Sequence, residues 1–210
     1  MVDKEVVLQG YEDIADVYAE ERSPSDAEQN ALASFLEKLS TESRVLDAGC
    51  GGGEPVLQQL TSQSQRAIGL DFSVQQLEMA QSSAPEANLL RGDMTRLPLR
   101  DSTIDAVLAY HSLIHVPAGE HQTVIDEFAR VLRPGGHLLV SEGPGEWQGT
   151  NPDWLDADTE MQWYIAGAEA TRVQLENAGF QIETEYGAPN TLAKDEEASW
   201  IFFDATRDRT

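Results

Sequence analysis

Five short apolar runs recur between residues 44 and 143: RVLDA (44–48), RAIGLD (66–71), ANLLRG (87–92), IDAVLAY (104–110) and HLLVSEG (137–143). Each is too short for a typical helix and too continuously apolar for a strand with one face in water. Such runs belong to strands buried on both faces. Between them lie EPVLQQLT (54–61), SVQQLEMAQ (73–81) and EHQTVIDEFARVL (120–132), whose apolar residues recur at helical spacing. Pro55 suits a first helical turn, Ser73 is a ready N-cap, Pro85 follows a helix end, and RPGG (133–136) reads as a turn. A strand–helix alternation of this kind implies an α/β fold: a parallel sheet with helices on both faces.

The flanks extend this pattern. YEDIADVYAEER (11–22) and DAEQNALASFLEKL (26–39) read as helices, the second capped by Ser25 or Asp26. GPGEWQGTNPDW (143–154) reads as a loop and EMQWYIAG (160–167) as a strand or extended arm. AEATRVQLENAGF (168–180) reads as a helix with Gly179 just past its end, and QIETEYG (181–187) and SWIFFDATR (199–207) as strands. At 210 residues, 40% of them hydrophobic, the expectation is one soluble domain. Its parts would be a helical cap (1–40), a core (41–142) and a lid with the last strands (143–210).

Charge narrows the partners. Asp and Glu number 37 against 14 Lys and Arg, a formal net charge of -23, and the acids are scattered rather than gathered in a tail. That surface resembles those of proteins from high salt and argues against nucleic acid, which calls for a basic footprint. The lone Cys50 excludes an intrachain disulfide, and no apolar run approaches membrane-spanning length. The acidic start lacks a signal-peptide core. A cytoplasmic monomer or homodimer acting on a small molecule, with no membrane contact, is expected.

The first strand runs into VLDAGCGGGEP (45–55), with Gly49, Gly51, Gly52 and Gly53 in five positions. A glycine-rich turn between strand and helix lets a ligand lie against bare backbone; the alternative is a tight structural turn. Asp71 ends the second strand, where an acidic side chain accepts from ribose hydroxyls, or else caps the next helix. Both features fit a nicotinamide dinucleotide as well as other nucleosides. A reductase of that class would need a Tyr-x-x-x-Lys pair or similar, and no lysine follows a tyrosine at that spacing.

The ordered set VLDAGCGGG, GLDFS, GDMTRLP, DAVLAYHSLIHV and LRPGGHLLV, across about residues 40–142, resembles the class I S-adenosylmethionine-dependent methyltransferases. YEDIADVYAEER and LENAGF are similar to segments of that family's small-molecule branch. The resemblance implies a doubly wound, Rossmann-like sheet of seven strands, order 3-2-1-4-5-7-6, with SWIFFDATR as the antiparallel seventh. It implies S-adenosyl-L-methionine as cofactor, with Asp47, Gly49 and Gly51 along its methionine part. Asp71 would take its ribose, Phe72 its adenine face, and Asp93 with the Met94 backbone its adenine edge. Tyr110 and His111 would stand beside the sulfonium, with Tyr11 and Tyr18 closing over it. Glu54, where relatives carry Thr or Ser, would turn to solvent. A non-catalytic module that only binds the cofactor is the other reading.

His111 and His115 are the imidazoles nearest such a site, as base or substrate contact, with His115 alternatively structural. No HExxH pattern or Cys/His cluster accompanies them, so no metal is expected. His121, on an exposed helix face, and His137, at a strand start, read as structural, and Cys50 as a small loop filler. Trp147, Trp154, Met161, Trp163 and Tyr164 are candidates to roof a substrate pocket.

Overall fold

The computed structural model describes residues 2–63, 65–192 and 199–209. Its strands are β1 (Arg44–Ala48), β2 (Arg66–Asp71), β3 (Asn88–Arg91), β4 (Ile104–Ala109), β5 (Leu132–Glu142), β6 (Trp147–Asn151), β7 (Met161–Ile165), β8 (Phe180–Pro189) and β9 (Ser199–Arg207). Its helices are α1 (Lys4–Asp13), α2 (Ala15–Glu21), α3 (Asp26–Leu36), α4 (Val56–Ser62), α5 (Val74–Ser83), α6 (His121–Val131) and α7 (Ala168–Asn177).

Seven strands form one sheet in the order β3-β2-β1-β4-β5-β9-β8. β1 to β5 run parallel, and β9 lies antiparallel to both β5 and β8. With β8 and β9 as sixth and seventh strands, this is the expected order. The apolar runs are continuous because both faces are covered. Val107 and Ala109 of β4 pack with Phe128 of α6 and Leu175 of α7, while Ala106 and Leu108 pack with Phe35 of α3 and Leu57 of α4. Each such phenylalanine or leucine, fully buried, contributes about 1.5–3 kcal/mol. The RPGG segment falls inside β5. Leu132 pairs with Ile104, but the next pair is Ala106 with His137, so the residues between bulge out through Gly135 at φ +77.

Three local readings are corrected. The helix expected over 11–22 begins at Lys4, capped by Asp3, and breaks at Ile14, which is non-helical (φ -112, ψ 16) and buried beside Trp154 and Met161. The segment read as a loop contains β6, which forms an antiparallel hairpin with β7. β6 is largely exposed, so it carries no alternating apolar signal. His121 is fully buried, not exposed, because it shares the stripe of Val124, Ile125 and Phe128 on α6. Among the described residues no helix is long and apolar enough to cross a membrane.

Candidate active site

The glycine turn is held from below. Gly49 and Cys50 N–H both donate to the Leu70 carbonyl, at 2.7 and 3.0 Å, tying the turn to the end of β2. Gly49 sits at φ +77, and a Cβ there would fall 2.3 Å from Cβ of Ser112, whose hydroxyl donates to the Ala48 carbonyl at 2.6 Å. Its bareness serves the approach of the segment after β4 as well as any ligand. Gly51, at φ +51, donates its N–H to Asp71 Oδ2 at 2.9 Å. Asp71 Oδ1 accepts from Ser73 N–H at 2.9 Å, while Ser73 caps α5. Both oxygens keep lone pairs for further donors. Glu54 is exposed and bonds Gln58.

Two cavities open at the carboxyl ends of the parallel strands. The smaller, about 90 Å³, is lined by Gly49, Gly51, Asp71 and Phe72, by Asp93 and Met94 beyond β3, and by Tyr110 after β4. The larger, about 700 Å³, lies under the β6–β7 hairpin and is lined by Trp147, Trp154, Trp163 and Trp200. Tyr11, Tyr18, His111 and His115 line both, so they form the wall between them. Met161 is buried against α1 rather than roofing the larger cavity, and Tyr164 stacks edge-on to His121.

Asp47 does not line either cavity. It is buried at the end of β1 with Oδ1 unpartnered, and burial, with the charge of Asp71, pushes its pKa up to about 8. Burial pushes the Cys50 thiol up as well, consistent with an inert filler. Asp93 Oδ2 accepts from Lys4 Nζ at 2.8 Å, and Lys4 also pairs with Glu120. This pins α1 across the smaller cavity.

The wall is built of oriented groups. His115 Nδ1 stands 3.1 Å from the Gln162 carbonyl, which only accepts, so Nδ1 carries the hydrogen and Nε2 accepts from the Tyr11 hydroxyl at 2.7 Å. Burial holds His115 down at about 4 and pushes the Tyr11 hydroxyl well up. His111 is in the left-handed region (φ +60), its N–H donating to Ser141 Oγ at 2.6 Å. Its Nε2 lies 2.7 Å from Glu28 Oε1, while Nδ1 has no partner. Burial lowers His111 to about 4 against the raising effect of Glu28.

Glu28 and Arg22 were not singled out from sequence. Glu28 is fully buried; its Oε2 closes a capping box on Ser25, and its Oε1 also accepts from Arg22 Nη2 at 2.7 Å. Burial would raise its pKa, but the hydrogen bonds from His111 and Arg22 outweigh it and hold it at about 2. The S-x-x-E spacing of Ser25 and Glu28 signals the cap; nothing local signals the contact with His111. Among the described residues no three or more His, Cys, Asp or Glu come together as a metal site.

The residues at the turn fit a nucleoside bearing a cationic amino-acid tail. Asp71 has acceptor capacity on both oxygens, and Asp47 offers an orphaned buried carboxylate oxygen. Residues 46–140 match the methyltransferase domain family. Over 117 residues, 53% of the chain, it is 38% identical to 27-O-demethylrifamycin SV methyltransferase of Amycolatopsis mediterranei, covering 42% of that protein. The chain spans about half the length of the curated relatives it matches. In fold it is similar to the 1,6-didemethyltoxoflavin-N1-methyltransferase of Burkholderia thailandensis, solved with 1,6-didemethyltoxoflavin and S-adenosylhomocysteine bound: TM-score 0.75, 18% identity, covering 98% of this chain and 87% of that one. It is likewise similar to magnesium protoporphyrin IX methyltransferase of Synechocystis PCC 6803 with its S-adenosylmethionine: TM-score 0.72, 18% identity, 99% and 98% covered. The family's methyl donor is S-adenosylmethionine. Five ordered motifs, the strand order and these matches agree: residues 46–140 are a methyltransferase domain, set in the fold of the class I S-adenosylmethionine-dependent methyltransferases.

Proposed function

We propose that this chain transfers a methyl group from S-adenosylmethionine in the smaller cavity to a small-molecule acceptor in the larger one. The observation that carries the reading is the shared wall of Tyr11, Tyr18, His111 and His115. A group passing between the two ligands would cross that wall.

When bound, the cofactor supplies an electrophilic methyl on a positive sulfur. The chain's own work is to hold, orient and keep dry. Asp71 accepts from the ribose hydroxyls, Phe72 covers the adenine face, and Asp93 with the Met94 backbone reads its edge once Lys4 yields. Gly49 and Gly51 hold the methionine part, the buried Asp47 carboxyl acts on its ammonium from behind that lining, and Tyr110 closes the sulfonium side. His111 Nδ1, its lone pair directed by the Nε2–H···Glu28 bond, accepts the proton of an acceptor O–H or N–H as that atom attacks. Both nitrogens of His115 are engaged, so it positions Tyr11 in the wall rather than moving a proton. Residues 1–40 act as a cap, 41–142 as the cofactor core, and 143–210 as lid and closing strands. The scattered acidic surface suits solution at high salt and a small-molecule rather than a nucleic-acid partner.

Calorimetry in high salt tests the first half: heat from S-adenosylmethionine and none from NAD is expected, and the reverse overturns the reading. Asp71→Ala weakens that binding without unfolding the chain; unchanged affinity means the ribose site is elsewhere. Labelled-methyl transfer to a metabolite pool tests the second half, and binding without turnover on any acceptor would leave a cofactor-binding module.

A further inference from the structure

The chain has four tryptophans, and all four line the larger cavity. Trp154 and Trp163 meet edge-to-face at 5.3 Å between ring centroids, Trp147 lies 6.3 Å from Trp163, and Tyr18 lies 5.5 Å from Trp154. Trp200 packs on His111 at 4.8 Å. Packing alone does not require this convergence, since Trp147 is half exposed at 50%. Ring faces and edges around a space of about 700 Å³ suit a flat conjugated molecule of several rings.

The charges lining that space are arranged from inside to outside. Arg22 is its one lysine or arginine among the described residues, and its charge is already paired with buried Glu28. Glu21, Asp153 and Asp156, all exposed and without an ion-pair partner among the described residues, stand at the outer rim. At the inner end lies His111, almost wholly buried, with its Nδ1 unpartnered. Among the described residues an anion entering would meet three carboxylates and no free cation. A cation would gain those carboxylates and the tryptophan faces. A positive charge at the rim also stays clear of the positive sulfur across the wall.

We propose that the larger cavity takes a flat, multi-ring aromatic acceptor whose nucleophilic atom faces His111 and whose positive charge sits at the rim with Glu21, Asp153 and Asp156. This deepens the methyl-transfer reading and rests on it for the word acceptor, but the binding itself is tested without the cofactor. Because every tryptophan lines the cavity, intrinsic fluorescence reports occupancy. A matched three-ring set serves as probe: the N-methylacridinium cation, uncharged acridone, and acridine-9-carboxylate.

The cation is expected to quench saturably and to bind at least tenfold more tightly than acridone at low salt, with the carboxylate weakest. The triple variant Glu21→Gln, Asp153→Asn, Asp156→Asn loses that margin. A control triple, Glu78→Gln, Glu86→Gln, Glu176→Gln, removes as much exposed charge away from the cavity and keeps it. Acridone binding as tightly as the cation, the carboxylate binding tightest, no probe binding, or the control losing the margin equally would each overturn the proposal. Calorimetry with S-adenosylmethionine on the same samples separates the two readings. Lost cofactor binding with the probe order intact sinks methyl transfer alone, and intact cofactor binding with the order reversed sinks this cavity assignment alone.

Discussion

Glu28 Oε1 and His111 Nε2 stand 2.7 Å apart although 83 positions separate them in the chain. The bond joins the first turn of α3 to the segment after β4 and fixes which imidazole nitrogen is bare. A carboxylate accepts, so Nε2 carries the hydrogen and Nδ1 the lone pair. Glu28→Gln keeps the shape but removes the charge that favours the forming imidazolium. We expect kcat for methyl transfer to fall about 10²-fold, the scale of general-base assistance, with cofactor affinity unchanged. Imidazole nitrogen NMR supplies a second reading: His111 is the Nε2–H tautomer in the parent and a mixture in the variant. A variant with full rate, or a parent showing Nδ1–H, would remove His111 as base.

Asp47 makes a prediction about protons. It is buried, Oδ1 has no partner, and its pKa is pushed up to about 8 by burial and by Asp71. At pH 7 about nine in ten such carboxyls hold a proton. A ligand that brings an ammonium beside it favours the ionised form, so cofactor binding at pH 7 releases close to one proton. Calorimetry in two buffers of different ionisation enthalpy measures this, and Asp47→Asn abolishes the release while weakening binding. Binding with no release, or with uptake, would show that the ammonium sits elsewhere.

What could be read from the sequence was what local chemistry signals. The five core strands announce themselves as unbroken apolar runs because helices cover both their faces, and Ser73 announces α5 because capping is decided within one turn. The β6–β7 hairpin gives no such sign. Trp147–Asn151 is mostly exposed and pairs only with its neighbour, so nothing selects an alternation of apolar residues. Glu28 escaped for another reason. Its role in the capping box is local, while its contact with His111 exists only once the sheet has brought α3 over the end of β4. His121 was misplaced despite a legible signal: positions 121, 124, 125 and 128 form one buried stripe.

Glu142, at the end of β5, ties stability to pH. It is fully buried; Oε1 accepts from Gly143 N–H at 2.9 Å, and Oε2 has no partner. His121 Nδ1, also unpartnered, is 4.0 Å away, with Tyr164 edge-on to its ring. Burial raises the Glu142 pKa to about 7, against the lowering effect of the Gly143 and Ala166 N–H groups. Below pH 4.5 the carboxyl is protonated folded or unfolded and costs nothing extra. Between 4.5 and 7 the unfolded chain ionises while the folded one holds its proton, so stability falls as pH rises; above 7 the loss is complete. The span corresponds to about 3 kcal/mol. His121, whose pKa burial lowers, favours folding in the opposite direction near its ordinary value and offsets part of the slope. Glu142→Gln cancels the Glu142 contribution alone. Urea unfolding at constant high salt should show the variant gaining on the parent steadily from pH 4.5 to 7.5, and parallel curves across that range would mean that Glu142 is already ionised in the fold.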